Sequence, residues 1–309
     1  MPDNIGLFIG TDRGLSVLKT LIDQKRHIKN VLVLNQREHE INNCTYKIID
    51  LCKKNNIGFK TSKEVKPQDY EEYLKKQKFD VLFVISWRFL ISDACFSLTK
   101  KGIFVIHDSL LPKYRGFAPT NWVIINQEKK TGATLFYIDQ EVDAGDIVDQ
   151  IQIEIGKDET AKTLNDKFLK VYPQLIERNL DNILLGKNKR IPQDHSKATF
   201  SSQRKPEDGH INFAQPTDKI VSFIRGLTYP YPGAFCYFDD EKIIVWEAQK
   251  ASGNHKERAP GEVMDVEDGF VDVTTIDGVL RISRISRHDD PGKFLKPKDL
   301  IKNHSVQLV

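Results

Sequence analysis

The chain has 309 residues, 39% of them apolar and 29% charged, which is long enough for two domains or one large one plus an appendage. Its 46 basic and 43 acidic residues leave a net charge of +3, a balance that argues against a polyanion-binding protein. No apolar run approaches the roughly 18 residues that span a membrane. The opening MPDNIGLFIGTDRG lacks a basic flank before a long apolar core, so a soluble cytoplasmic chain without a leader is expected.

In chain order, the first half alternates strand-like and helix-like segments. Residues 5–9 form a short apolar run, and Leu15, Val17, Leu18, Leu21 and Ile22 then recur at helical spacing. A second strand is expected over 31–34, then a helix holding Ile48, Ile49, Leu51 and Cys52. A short strand begins at Phe59, and Tyr70, Tyr73 and Leu74 mark a further helix. DVLFVIS (80–86) and the run 102–107 are near-continuous apolar strands, the kind buried on both faces of a parallel sheet. This alternation predicts a doubly wound α/β domain. Two antiparallel strands (133–138 and 147–155) and a long helix (158–185) follow.

Residues 186–213 are polar and turn-rich and read as a linker. Beyond them come a short helix (218–227), the breaker cluster TYPYPG, and short strands over 234–238, 242–248, 261–266, 270–275 and 279–285. Short strands punctuated by Gly, Asp and Pro predict a small β-barrel or open sandwich.

Four cysteines (Cys44, Cys52, Cys95, Cys236) form no CxxC pair and read as reduced, packed thiols, with spacings unsuited to zinc. GTDRG, after the first strand, is neither GxGxxG nor a Walker sequence. It can hold an anion on helix N–H groups or serve only as a turn. His107 ends a buried strand, at the rim where open α/β sheets place ligands. Ser86–Ile91 (SWRFLI) leaves the preceding apolar strand at the same rim. In the acidic loop IDQEVDAGDIV, Asp143-Ala144-Gly145 is a tight turn able to aim its carboxylate inward, where it can form a charge-assisted pair with His107. Ser109 reads as a turn-holding residue.

HDSLLPKYRG, the following APTNW, TGATLFYIDQEVDAGDIV and RKPEDGHINF together resemble the 10-formyltetrahydrofolate-dependent formyltransferase family. The resemblance spans about residues 3–300. KYRG, APTNW and RKPEDG are most similar to the bacterial sugar N-formyltransferases, such as the domain acting on UDP-4-amino-4-deoxyarabinose.

The resemblance implies an α/β fold: a Rossmann-like N-terminal domain with a mostly parallel sheet (1–200), and a small C-terminal open β-barrel, OB-like domain (201–309). It implies a catalytic Asn-His-Asp set in which the His is His107 and the Asp is Asp143. The Asn position is occupied by Val105, which can donate no hydrogen bond. It also implies a folate pocket of Ser86, Trp87, Arg88, Phe89, Leu90 and Ile91, with backbone groups at Arg88 and Leu90 on the pterin. The Asp139, Gln140 and Val142 loop would close over it. Lys113, Arg115, Gly116 and Arg204 are the implied substrate contacts. Phe117 stands where sugar enzymes often carry Arg.

The implied cosubstrate is 10-formyltetrahydrofolate without a metal, and the implied partner is a nucleotide-linked amino sugar. No nucleic acid or membrane partner is expected, and a homodimer is. Methionyl-tRNA formylation competes with this reading. Against it, residues 205–309 carry 14 basic and 17 acidic residues, and the stretch QREHEINN (36–43) after the second strand is of mixed charge. A non-catalytic or altered one-carbon folate-binding homologue is the other alternative, resting on Val105.

Overall fold

Apolar runs of four or five residues are buried strands here, and amphipathic segments are the helices that cover them. The structure is a computed structural model and describes residues 3–36, 43–253, 257–301 and 308; most of QREHEINN lies outside them. In chain order the elements are β1 (Ile5–Ile9), α1 (Thr11–Asp23), β2 (Ile28–Val33), α2 (Thr45–Lys54), β3 (Gly58–Thr61), α3 (Tyr70–Gln77), β4 (Val81–Ile85) and β5 (Ile103–His107). They continue with β6 (Arg115–Gly116), α4 (Pro119–Ile125), β7 (Lys130–Tyr137), β8 (Ile147–Glu154), α5 (Ala161–Leu184), β9 (Phe200–Ser201) and α6 (Thr217–Leu227). Last come β10 (Ala234–Phe238), β11 (Glu241–Ala251), β12 (Val263–Val266), β13 (Val271–Thr274) and β14 (Val279–Arg287).

The described residues divide into two compact units. One comprises 1–119, 130–154 and 165–202; the other comprises 120–129, 155–164 and 203–309. The first holds a seven-stranded sheet in the order β3-β2-β1-β4-β5-β7-β8. Strands β3 to β5 are parallel, and β7 and β8 are antiparallel to their neighbours. The sequential order of the strands reverses between β1 and β4, the kind of switch point beyond whose carboxyl ends open α/β sheets place ligands. One sheet face carries Phe8, Leu32, Leu82, Val84 and Ile103, which pack with Tyr70, Tyr73 and Leu74 of α3.

The second unit contains a five-stranded antiparallel sheet, order β10-β11-β14-β13-β12, whose outer strands β10 and β12 are not paired to each other. Ile220, Val221 and Ile224 of α6 pack with Ile243, Val245, Leu280 and Ile282 of that sheet. No described helix is long and apolar enough to cross a membrane.

The stretch expected as a linker is structured over much of its length, because its polar groups are spent on main-chain partners. Ile191 forms a two-bond bridge with Ile147, and β9 pairs in parallel with β6.

Candidate active site

His107 is the last residue of β5. Alternation along the strand puts it on the same face as Val105, and its ring is 9% exposed. Strand β7 runs back along β5, pairing His107 with Thr134 and Phe104 with Tyr137. The loop after Tyr137 therefore starts at the far end of β5 and folds back to bring Asp143 to His107.

That return depends on tight backbone geometry. Asp143 lies at φ 53°, and a Cβ on Gly145 would sit 1.8 Å from the Tyr137 carbonyl oxygen. Asp143 Oδ2 then lies 3.5 Å from His107 Nδ1 and accepts the Gly116 N–H at 2.8 Å. Gly116 has φ +98° and Ser201 O pressed against its α-carbon side, so it alone suits that position.

The other ring nitrogen, Nε2, donates to the Tyr114 carbonyl at 2.7 Å. A carbonyl only accepts, so the ring proton belongs on Nε2. Nδ1 then faces a carboxylate, and the contact is attractive when a second proton lies between them. Nδ1 is thus left on the side of Asp143, where a proton between the two would join them.

The SLLP turn is held from beneath. Thr134 Oγ1 donates to Ser109 O at 2.6 Å and accepts the Leu111 N–H at 3.1 Å, while Gln150 Nε2 donates to both Leu111 O and Thr134 Oγ1 at 2.9 Å. Ser109, 1% exposed, donates to Lys113 O at 2.6 Å, as a turn-holding serine does. Asp108 points away from His107: it pairs with Arg13 at 2.8 Å and accepts from the Tyr172 hydroxyl. The GTDRG turn thus supplies a buried cation to the residue beside His107. Thr11 Oγ1 donates to Ser86 Oγ at 3.0 Å across the switch point.

Val105 is half-buried and packs against Leu111, Phe136 and Ile147 and against the cluster of Leu82, Val84 and Ile103. From Ser86–Ile91, Trp87 is anchored by Phe8 (5.3 Å between centroids) and by donation to Tyr70 OH at 3.2 Å. Ile91 is buried, Arg88 is half-buried, and Phe89 and Leu90 are exposed, Leu90 at 78%. Asp139, Gln140 and Val142 are exposed as well. Large apolar side chains left in water on these loops are surface a bound molecule would cover.

The implied substrate contacts are dispersed. Lys113 is a surface cation. Arg115 is 2% exposed, its Nε and Nη2 on Gln193 Oε1 at 3.2 and 2.7 Å, so its guanidinium faces the protein interior. Gly116 contributes its N–H to Asp143. Arg204 belongs to the other compact unit, where it lies over the rings of Trp122 and Phe223 and donates to Asp208 O; burial lowers its pKa. Gln193 and Gln150 are residues of this region without a sequence signal, because lone polar residues far apart in the chain carry no periodicity.

The chain matches the formyl transferase family over residues 10–180 and the formyl transferase C-terminal domain over residues 204–305. It belongs to the formyl transferase family. Among solved structures it is similar to an N-formyltransferase from Helicobacter canadensis, in complex with folinic acid and dTDP-3-aminofucose: TM-score 0.71, 19% identity, 91% of this chain and 99% of that one. A 4-N formyltransferase from Francisella tularensis matches with TM-score 0.61 and 22% identity over 75% of this chain and 91% of that one. HypX from Aquifex aeolicus, in complex with tetrahydrofolic acid, matches with TM-score 0.68 and 16% identity over 96% of this chain. The match covers 46% of HypX, so the chain spans about half of that protein's length.

Proposed function

We propose that the protein transfers a formyl group from 10-formyltetrahydrofolate to the amine of a nucleotide-linked amino sugar. Catalysis falls to the domain of residues 1–200, with residues 201–309 as a β-barrel-like companion. The observation that carries this reading is the His107–Asp143 pair at the end of β5, 3.5 Å apart. Family membership and the folate and amino-sugar ligands of the Helicobacter relative support the choice of substrates.

The amine attacks as a neutral nucleophile. Its nitrogen bonds to the formyl carbon, a proton passes to Asp143 directly or through water, and the folate N10–carbon bond breaks as N10 regains a proton. His107, held between the Tyr114 carbonyl and Asp143, supplies positive charge toward the developing oxyanion. Val105 donates nothing there, and such a donor is worth about 2.7–4 kcal/mol of transition-state stabilisation. Transfer therefore proceeds without that contribution from position 105. The pterin meets the Arg88 and Leu90 backbone, and Val142 closes over it.

Val105 also favours a second reading, a folate-binding homologue that no longer transfers formyl groups. One experiment separates the two: incubation with 10-formyltetrahydrofolate and a panel of amino-sugar nucleotides, following tetrahydrofolate release. Turnover with one of them supports transfer. Folate binding without turnover on any amine supports the second reading.

A further inference from the structure

The segment 190–201 lies between the two stretches matched by the family, yet it ties down both loops that build the site. Thr199 accepts the Arg115 N–H on its carbonyl and the Tyr114 N–H on Oγ1, at 2.8 and 2.9 Å. Ser201 O accepts the Phe117 N–H at 3.0 Å. Arg190 pairs with Asp146 at 2.6 Å, and Ile191 is bridged to Ile147. At the centre is Gln193, 6% exposed. Its Nε2 donates to the carbonyls of Asp143 (2.9 Å) and Gly145 (2.7 Å), and its Oε1 accepts two bonds from Arg115.

The amide orientation is fixed by chemistry: guanidinium groups only donate and carbonyls only accept. A buried cation on a neutral amide is costly to keep. Here its geometric effect is plain, since Arg115 locks the amide and the amide locks the turn that aims Asp143.

We propose that Gln193 is a positioning residue for the Asp143–His107 pair, braced by Arg115. The proposal rests on the formyl-transfer reading only for its kinetic consequence. Gln193 touches neither substrate nor reacting atoms. It acts by holding the two carbonyls of the Asp143–Gly145 turn, so that the carboxylate meets His107 Nδ1 and the Gly116 N–H together.

The test uses the full chain with Gln193→Glu and Gln193→Leu. Gln193→Glu keeps size and gives Arg115 a stronger acceptor, but sets a carboxylate oxygen against the two carbonyls. It separates positioning from mere accommodation of Arg115. The first readout needs no substrate: the imidazole 15N shifts of His107 in the free protein, compared with those of Asp143→Asn. The expected result is that Gln193→Glu moves them toward the Asp143→Asn values and adds nothing in the double variant.

The second readout is turnover, where kcat falls by roughly 10²-fold, the scale of a misplacement of about 1 Å, with KM for the folate little changed. If Gln193→Leu fails to fold, Gln193→Glu alone decides. Wild-type shifts in a folded Gln193→Glu protein would overturn the proposal. Absence of any turnover in the wild type would overturn only the formyl-transfer reading, because the shifts are read without substrate.

Discussion

His107 is hydrogen-bonded at one nitrogen and faces a carboxylate with the other, and that second neighbour is what separates it from a satisfied strand-end histidine. Tyr114 O holds Nε2, which leaves Nδ1 on the side of Asp143 Oδ2, 3.5 Å away. Asp143→Asn removes that acceptor while leaving an amide oxygen for the Gly116 N–H. Turnover is expected to fall about 10²–10⁴-fold, with little change in the thermal midpoint; steady-state kinetics beside a melting curve checks both. Val105→Asn tests whether the pocket awaits the amide. Leu111, Phe136 and Ile147 offer an amide no partner, so the substitution should cost about 1–3 kcal/mol in denaturant unfolding and should not raise kcat. A clear gain in kcat would mean that the oxyanion position is still open to position 105.

At the scale of elements, two junctions carry measurable weight. The Asp143–Gly145 turn has no room for a side chain at its glycine: a Cβ would meet the Tyr137 carbonyl at 1.8 Å. Gly145→Ala must displace backbone, so both activity and thermal midpoint are expected to drop; a variant with wild-type kinetics would show the turn to be slack.

The second junction is the start of β4, where Asp80, 7% exposed, accepts the Asn4 N–H at 2.7 Å and pairs with Lys100 at 2.7 Å. Burial pushes its carboxyl up, but the Asn4 N–H and the Lys100 ammonium outweigh it and hold the group below the usual carboxylate range. The stability it adds is present above the unfolded value near pH 4 and is lost as pH falls through the lower folded value. The melting gap between wild type and Asp80→Asn should therefore be open at pH 7 and close below about pH 4. The strands themselves were legible, since DVLFVIS and the run into His107 admit little but a buried parallel strand. The polar stretch after α5 was not: its order comes from hydrogen bonds to loops such as Tyr114–Phe117, 85 residues away in the case of Thr199 and Tyr114. The burial of Arg115 was hidden for the same reason. A cation in a turn looks solvated until the β6–β9 pairing covers it.

For the whole molecule, the change of pattern along the chain, from alternating β and α to short antiparallel strands, separates the seven-stranded sheet from the five-stranded one, while the assignment of 120–129 and 155–164 to the second unit carries no such signal. The proximity of His107 and Asp143 was legible because both sit at punctuated points, a strand end and an Asp-Ala-Gly turn; Gln193 sits at neither. All four cysteines are buried and unbridged, with burial pushing Cys52 and Cys236 up to about 12. Thiol reagents should therefore label the folded protein slowly and the denatured protein rapidly at four sites; rapid native labelling would contradict the packing. The account turns on the His107–Asp143 pair moving a formyl group, and the most direct measurement is tetrahydrofolate release from 10-formyltetrahydrofolate in the presence of an amino-sugar nucleotide. The account predicts release that depends on the amine and is abolished or nearly so in Asp143→Asn. Release that is unchanged in Asp143→Asn, or that ignores the amine, would contradict it.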